Sequence, residues 1–391
     1  MSKRVIIAMS GGVDSSVAAA LLVEQGYDVV GVYILGWTGN DQFPCSWQKE
    51  EADARSVAEK LKIPFYTVNL SAEYYDHVIK NFFEEYRKGN TPNPDILCNR
   101  EIKFKALWQA VRQFEPEFIA TGHYARLRRK LPIINSQLSI AQSMKIENSC
   151  PRICEPADKE KDQTYFLWGI DKQMLPKILF PLGDITKTKV RELAKKYSLP
   201  TATKKDSQGI CFIGQLKVRE FLKSQLTTKQ GDVVLGDGRK VATHQGVSFY
   251  TIGQRLGAGS VDWTGDVPPL YVIAKDIAKN ILVVGPDKET FADTLQAIQP
   301  NWLVDETKLP TKVLARVRYR QALISASLQL DGGTLKVVFD EPVRAITAGQ
   351  SVVFYDTKKS VLGGAIIAAV PAQQKIITKL HGRIHSKSSI K

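Results

Sequence analysis

The chain has 391 residues, 43% of them hydrophobic, ordinary proportions for a globular protein of two or three domains. No apolar run approaches the ~18 residues of a membrane span, and Met1 to Val5 lead straight into a strand pattern, so a cytoplasmic protein with no membrane partner is expected. The net charge of +14 favours a polyanionic partner such as RNA, and an odd set of five cysteines argues against a disulfide framework.

In chain order, Val5-Ile6-Ile7-Ala8 reads as a short buried strand. Val17, Leu21 and Leu22 then mark a helix closed by Gly26. Between them lie Ala8, Met9, Ser10, Gly11, Gly12, Val13, Asp14 and Ser15. Glycines at a strand-to-helix turn bring backbone N–H groups close to an anion, and the helix dipole and serine hydroxyls add to the attraction. The spacing excludes both G-x-x-x-x-G-K-[ST] and G-x-G-x-x-G.

A second buried strand runs from Asp28 to Ile34, and Ala54, Val57, Ala58 and Leu61 mark a helix. Ile63 to Val68 reads as a third strand, and Tyr75 to Tyr86 as a longer helix. Leu107, Ala110, Val111 and Phe114 mark another helix, followed by the strand Phe118–Thr121. This alternation predicts a parallel sheet with helices on both faces. Ligands of such sheets gather at the carboxyl ends of the strands, here the glycine loop, Ile34 and Gly122.

Residues 128–155 read as an exposed insertion in a hairpin, entered through a basic cluster from Arg126 to Lys130. Helical pattern returns at Val190, Leu193, Ala194 and Tyr197. Beyond residue 216 the chain becomes turn-rich. From Lys312, Val313, Ala315, Val317 and Tyr319 alternate with a mostly polar face bearing Arg316, Arg318 and Arg320. Asp331-Gly332-Gly333 is a turn, and Leu335, Val337 and Phe339 alternate again, which predicts a small antiparallel barrel. The expected fold is thus α/β, with a parallel-sheet catalytic domain over 1–215, a small central β-rich domain over 216–295 and a C-terminal antiparallel β-barrel over 296–371. Residues 372–391 read as a basic, flexible tail.

Two cysteines stand out. Cys98 follows Thr91-Pro92-Asn93-Pro94-Asp95-Ile96-Leu97 and sits at a predicted helix start near Arg100 and Lys103, a setting that favours the thiolate. Asp95, one turn earlier, is placed for proton exchange. Cys211 lies in a glycine-flanked loop behind Lys204 and Lys205. Each cysteine also fits a small buried hydrophobe. No C-x-x-C is present, so no metal site is expected. His123 fits a hydrogen-bonded structural role better than a catalytic one.

The glycine loop resembles the SGGxDS signature of the PP-loop ATP pyrophosphatases. The wider chain resembles the bacterial tRNA-specific 2-thiouridylases: Ser10 to Ser16, Asn93-Pro94-Asp95 with Cys98-Asn99, Thr121 to Ala125, Lys161-Asp162-Gln163, Gly209 to Gly214, His244-Gln245-Gly246, Gly253-Gln254-Arg255 and Arg318 to Gln321, in order. The resemblance implies ATP and Mg²⁺ as cofactors, with Ala8 to Ser15, Ile34 and Gly122 holding the nucleotide. It implies adenylation of the C2 oxygen of a wobble uridine, with Cys211 as persulfide carrier, Cys98 as its partner and Asp95 as acid/base. It implies tRNA contacts at Asn93, Pro94, Asp95, Lys161, Asp162, Gln163, Arg318 and Tyr319, and partners in the tRNA anticodon stem-loop and a sulfur-relay persulfide donor protein.

Overall fold

The computed structural model describes residues 2–39, 43, 47–128, 151–205, 218–226, 229–257, 262–263 and 269–388. Cys45, Cys150 and Cys211 lie outside the described residues, as do most of the 128–155 insertion and the Gly209–Gly214 motif.

The first half is built on a parallel sheet of β1 (Arg4–Ala8), β2 (Asp28–Leu35), β3 (Phe65–Asn69), β4 (Phe118–Thr121) and β7 (Ile178–Leu179), ordered β3-β2-β1-β4-β7. β1 pairs with β2 on one side and β4 on the other. The order therefore reverses at β1, and the crevice between β1 and β4 is where such sheets bind ligands.

Side chains of β1 alternate between two cores. Val5 and Ile7 pack with helices α1 (Val13–Glu24) and α2 (Trp47–Leu61), while Ile6 joins the core beneath Cys98. The Cys98 helix and the Leu107 helix are one continuous element over 94–110, wound as a π-helix at Cys98–Ala106. Tyr75 departs from the expected apolar stripe of its helix: it is 57% exposed, whereas Val78, Ile79, Phe82, Phe83 and Tyr86 are buried.

The insertion is closed by the antiparallel pair β5 (Arg126–Arg128) and β6 (Arg152–Cys154). The central domain carries a six-stranded sheet of β8 (Gly231–Leu235), β9 (Lys240–His244), β10 (Arg255–Leu256), β11 (Asp262–Trp263), β12 (Leu270–Asp276) and β13 (Ile281–Gly285). The last domain is a closed antiparallel barrel of β14 (Phe291–Trp302), β15 (Lys312–Arg316), β16 (Ile324–Asp331), β17 (Thr334–Arg344), β18 (Ser351–Tyr355) and β19 (Val361–Ala369). Gly332 and Gly333 both have positive φ (53° and 84°), as a two-residue hairpin turn between β16 and β17 requires.

Two expectations are corrected. Residues 371–388 form a helix, Pro371–Ser388, rather than a frayed tail, because Leu380 is fully buried against the central sheet with Ile376 and Ile377 beside it. The Arg316 face of β15 is not a solvated polar face. Arg316 is only 6% exposed and pairs with Asp162 at 3.2 Å and Glu155 at 3.6 Å, both in the first half of the chain.

Candidate functional site

The glycine loop closes the carboxyl end of β1. Met9 N–H donates to Val32 O at 2.8 Å, which ties the loop to β2. Gly11 has φ +69°, and a Cβ there would come within 2.2 Å of the Glu50 carbonyl oxygen. Only glycine fits, so α2 sits directly against the turn. Gly12 is the N-cap of α1, and no side chain caps that helix end. Its leading N–H groups therefore face the crevice without a side-chain acceptor. Ser15 and Ser16 instead donate back to the Gly12 carbonyl at 3.1 and 2.8 Å, and Ser10 N–H donates to Ser15 Oγ at 3.1 Å.

β4 closes the other wall. A Cβ on Gly122 would lie 2.8 Å from Ser15 N, so the strand passes hard against the start of α1. Ile34 stands half-buried at the carboxyl end of β2. Ala8, Gly122 and Ile34 thus lie with the loop at the carboxyl ends of β1, β4 and β2, and Val13 opens α1 beside them. His123 follows on β4, buried, its Nδ1 2.7 Å from Thr121 Oγ1. Burial, reinforced by the Lys103 charge, drives its pKa well below the usual histidine value. It is a neutral, packed side chain.

Asp14 projects from the first turn of α1. Its carboxylate accepts from Tyr124 Oη at 2.7 Å and from Lys187 Nζ at 2.7 and 2.8 Å. Lys187 is the first residue of the helix Lys187–Lys196, whose first turn holds no acid. A lysine there is the wrong sign for the helix dipole. That mismatch is the sequence signal for this residue, which the motifs did not single out. Lys187 N–H is held by Asp158 Oδ2 at 2.8 Å, and Asp158 Oδ1 also accepts from Lys161 N–H at 3.2 Å.

The segment that runs toward Cys211 is fastened to the two helices packed on that loop. Thr201 Oγ1 donates to Ser16 Oγ at 2.9 Å, and Lys204 Nζ pairs with Asp53 of α2 at 2.5 Å. Burial raises the Glu50 carboxyl pKa here, with the Lys204 charge opposing and Asp53 adding to the rise.

Cys98 lies on the other face of the sheet, 4% exposed, at the second turn of its helix. Asn93 caps that helix by accepting Asp95 N–H at 3.2 Å, and Pro94 occupies its first position. Arg100 is paired with Glu101 at 2.8 Å. Asp95 is half-buried at the helix start. Neither Cys98 nor Cys154 is in a disulfide.

The residues expected to touch RNA divide into two kinds. Lys161 and Asn93 are partly exposed. Asp162 is 4% exposed and faces the Arg316 guanidinium, and Gln163 is laced to Tyr124, its Oε1 accepting Tyr124 N–H at 2.8 Å. Arg318 donates to Ile252 O and Thr347 Oγ1, both at 2.8 Å, bridging the barrel to the central domain. Burial lowers its pKa, with the neighbouring Arg344 adding to the drop. Tyr319 packs on Phe166 with ring centroids 4.6 Å apart, and Arg320 lies over its ring. Asp162 and Arg318 are therefore joints between domains as well as members of the motif, whereas Gln163 ties two segments of the first domain together.

Residues 3–215 match the family described as tRNA methyl transferase HUP domain, residues 219–286 a tRNA methyl transferase PRC-barrel domain and residues 292–367 an aminomethyltransferase β-barrel domain. With the glycine loop at the β1–β4 crevice, these define a nucleotide-binding HUP-domain protein of the PP-loop class. Over its whole length the chain is similar to tRNA-specific 2-thiouridylase MnmA of Streptococcus mutans serotype c, 42% identical over 95% of this chain and 97% of that one. It is also similar to tRNA-specific 2-thiouridylase MnmA of Francisella philomiragia, 43% identical over 94% and 99%. Among solved structures, U34-tRNA thiolase NcsA from Methanococcus maripaludis aligns over 51% of this chain and 58% of that one at 21% identity, with a TM-score of 0.30, too slight a likeness to argue from.

The chain belongs to the tRNA-specific 2-thiouridylase family and is an enzyme, a tRNA sulfurtransferase. Methyl transfer, in the names of the two tRNA domain families, describes segments; these two thiouridylase relatives match 94–95% of the chain.

Proposed function

We propose that this enzyme thiolates C2 of the wobble uridine of tRNA in two stages, adenylation and sulfur transfer. What carries the reading is the convergence on one glycine loop of Asp14, Lys187, Tyr124 and the anchored approach to Cys211. Residues Ala8 to Ser15, with Ile34 and Gly122, hold ATP in the crevice. Lys187 leaves Asp14 for the β- and γ-phosphates when the triphosphate enters, because an anion there competes for the same ammonium.

Mg²⁺ suits this site. It takes one or two carboxylates and completes its shell with phosphate oxygens and water. Asp14 meets that demand, and among the described residues no group of three or more His, Cys, Asp or Glu is placed as an all-protein cage. When bound, the ion neutralises phosphate charge.

The chemistry needs both stages. The C2 oxygen of uracil is a poor leaving group. Its attack on the α-phosphate expels pyrophosphate and leaves a C2–O–AMP linkage. Sulfur then adds at C2 and AMP departs with the oxygen. Cys211 carries the persulfide, received from a sulfur-relay donor protein. The terminal sulfur reaches C2 directly, or as sulfide expelled when the Cys98 thiolate attacks Cys211. Both routes end in a Cys98–Cys211 disulfide that takes two electrons to reopen. Asp95 exchanges the proton beside the base. The target lies in the anticodon stem-loop and must be splayed from its stack to reach the crevice.

The test is nucleoside mass spectrometry of tRNA after incubation with ATP, Mg²⁺ and a sulfide source. The expected products are 2-thiouridine, AMP and pyrophosphate. ATP turnover driven by small acids and ammonia, with no thiolated nucleoside, would instead assign an amide-forming ligase.

A further inference from the structure

The C-terminal helix Pro371–Ser388 begins after the barrel family's match ends at residue 367, and the chemistry above makes no use of it. From residue 371 to the last residue the chain holds five Lys or Arg and no Asp or Glu. An exposed helix of a soluble protein ordinarily interleaves both signs at i,i+4. Lys375 and Lys379 are exposed, one turn apart, and Arg383 continues the same row. Successive members are about 6 Å apart along the axis. Among the described residues, no ion pair joins Lys375 or Lys379 to an acid, and Asp276, which reaches this helix, is paired with His381 at 2.5 Å.

The row is rigidly mounted. Leu380 is fully buried in the central sheet. Gln373 Nε2 donates to Ile346 O at 2.7 Å, and Arg383 donates to Gly236 O at 2.7 Å. The mounts are also the loops that grip the approach to Cys98. Thr91 N–H donates to Ala348 O at 2.9 Å, Gln350 Nε2 donates to Thr91 O at 2.7 Å, and Lys275, beside Asp276, donates to Gly89 O. The helix thus stands at a set position relative to residues 89–92, which lead into Asn93 and Cys98.

We propose that Lys375 and Lys379, continued by Arg383, form a second RNA-contacting strip that holds the phosphate backbone of the substrate tRNA outside the reacting loop. The inference rests on the tRNA-thiolating function proposed above. Two exposed lysines with no acid beside them among the described residues, on a fixed helix, suit a polyanion of fixed shape, and they carry no sequence information.

The experiment is tRNA binding by the full chain across a salt series, wild type against Lys375→Glu/Lys379→Glu, with ATP affinity measured in parallel. The expected result is weaker binding, a log–log salt slope shallower by about 1 per lysine, and wild-type ATP affinity. If charge reversal disturbs the melting transition, Lys375→Gln/Lys379→Gln is read instead and should lose the same slope. A slope equal to wild type overturns the strip. So does a loss confined to sulfur delivery from a donor protein, which would make the strip a protein-docking face. Failure of the wild-type chain to bind tRNA at all would overturn the proposed function itself.

Discussion

Replacing Arg316 with Met tests the joint between barrel and sheet domain. The guanidinium is 3.2 Å from Asp162 Oδ2, 3.6 Å from Glu155 Oε1 and 4.8 Å from the Tyr355 ring centroid. Asp162 is 4% exposed, and its other oxygen accepts Thr164 N–H at 2.9 Å. Glu155 keeps a second cation, Lys359 at 3.3 Å, so the orphan in R316M is Asp162. Removing one partner of a buried pair costs about 3–5 kcal/mol.

R316M should therefore be destabilised by about 3–5 kcal/mol. Urea unfolding followed by tryptophan fluorescence reads it, since Trp168 is buried at this joint. The double variant R316M/D162L should recover most of the loss, because replacing both charges with apolar groups is often neutral or better. A loss below about 1 kcal/mol in R316M, far short of what removing one partner of a buried pair costs, or a double variant no better than R316M, would refute the reasoning.

Gly11→Ala should cost at least about 1–2 kcal/mol from its left-handed backbone alone and abolish ATP binding, since its Cβ strikes the Glu50 carbonyl; calorimetric titration with ATP reads the loss. Cys98→Ser and Cys211→Ser should each abolish thiolation while tRNA still binds, and full 2-thiouridine content in either would remove that cysteine from the relay. Because Cys98 is buried, its alkylation by iodoacetamide should be slow in the free enzyme and faster with tRNA and ATP, with buried Cys154 as internal reference; an unchanged rate would count against its attack on Cys211. Burial pushes the Lys275 pKa down to about 8. The folded state then binds fewer protons than the unfolded chain between about pH 8 and 10.4, and stability rises with pH across that window by up to about 3 kcal/mol. Lys275→Met should lose this rise, measured as the wild-type-minus-variant difference so that tyrosine ionisation cancels.

Local signals carried most of the fold. The β1 loop, the parallel alternation and the Asp331-Gly332-Gly333 hairpin each depend on neighbours a few residues away, and each formed as its spacing predicts. What the chain order hid was pairing at long range. Lys187 meets Asp14, and Arg316 meets Asp162, across distances in sequence that no periodicity registers. The C-terminal helix was missed for a related reason: Ile376, Ile377 and Leu380 are too few to mark an amphipathic stripe until the central sheet is there to receive them.

Trp168, Tyr165, Leu303, Val353 and Val361 share one continuous apolar cluster with Ile6 and Cys98. The boundary between the first and last segments is accordingly not a seam along which the polypeptide can be cut. A shortened gene product ending near residue 215 would leave those rings facing water, and its aggregation on expression would say nothing about the chemistry of the glycine turn. Complementation with the missing barrel, supplied as a separate chain, is the fairer way to ask which half does what.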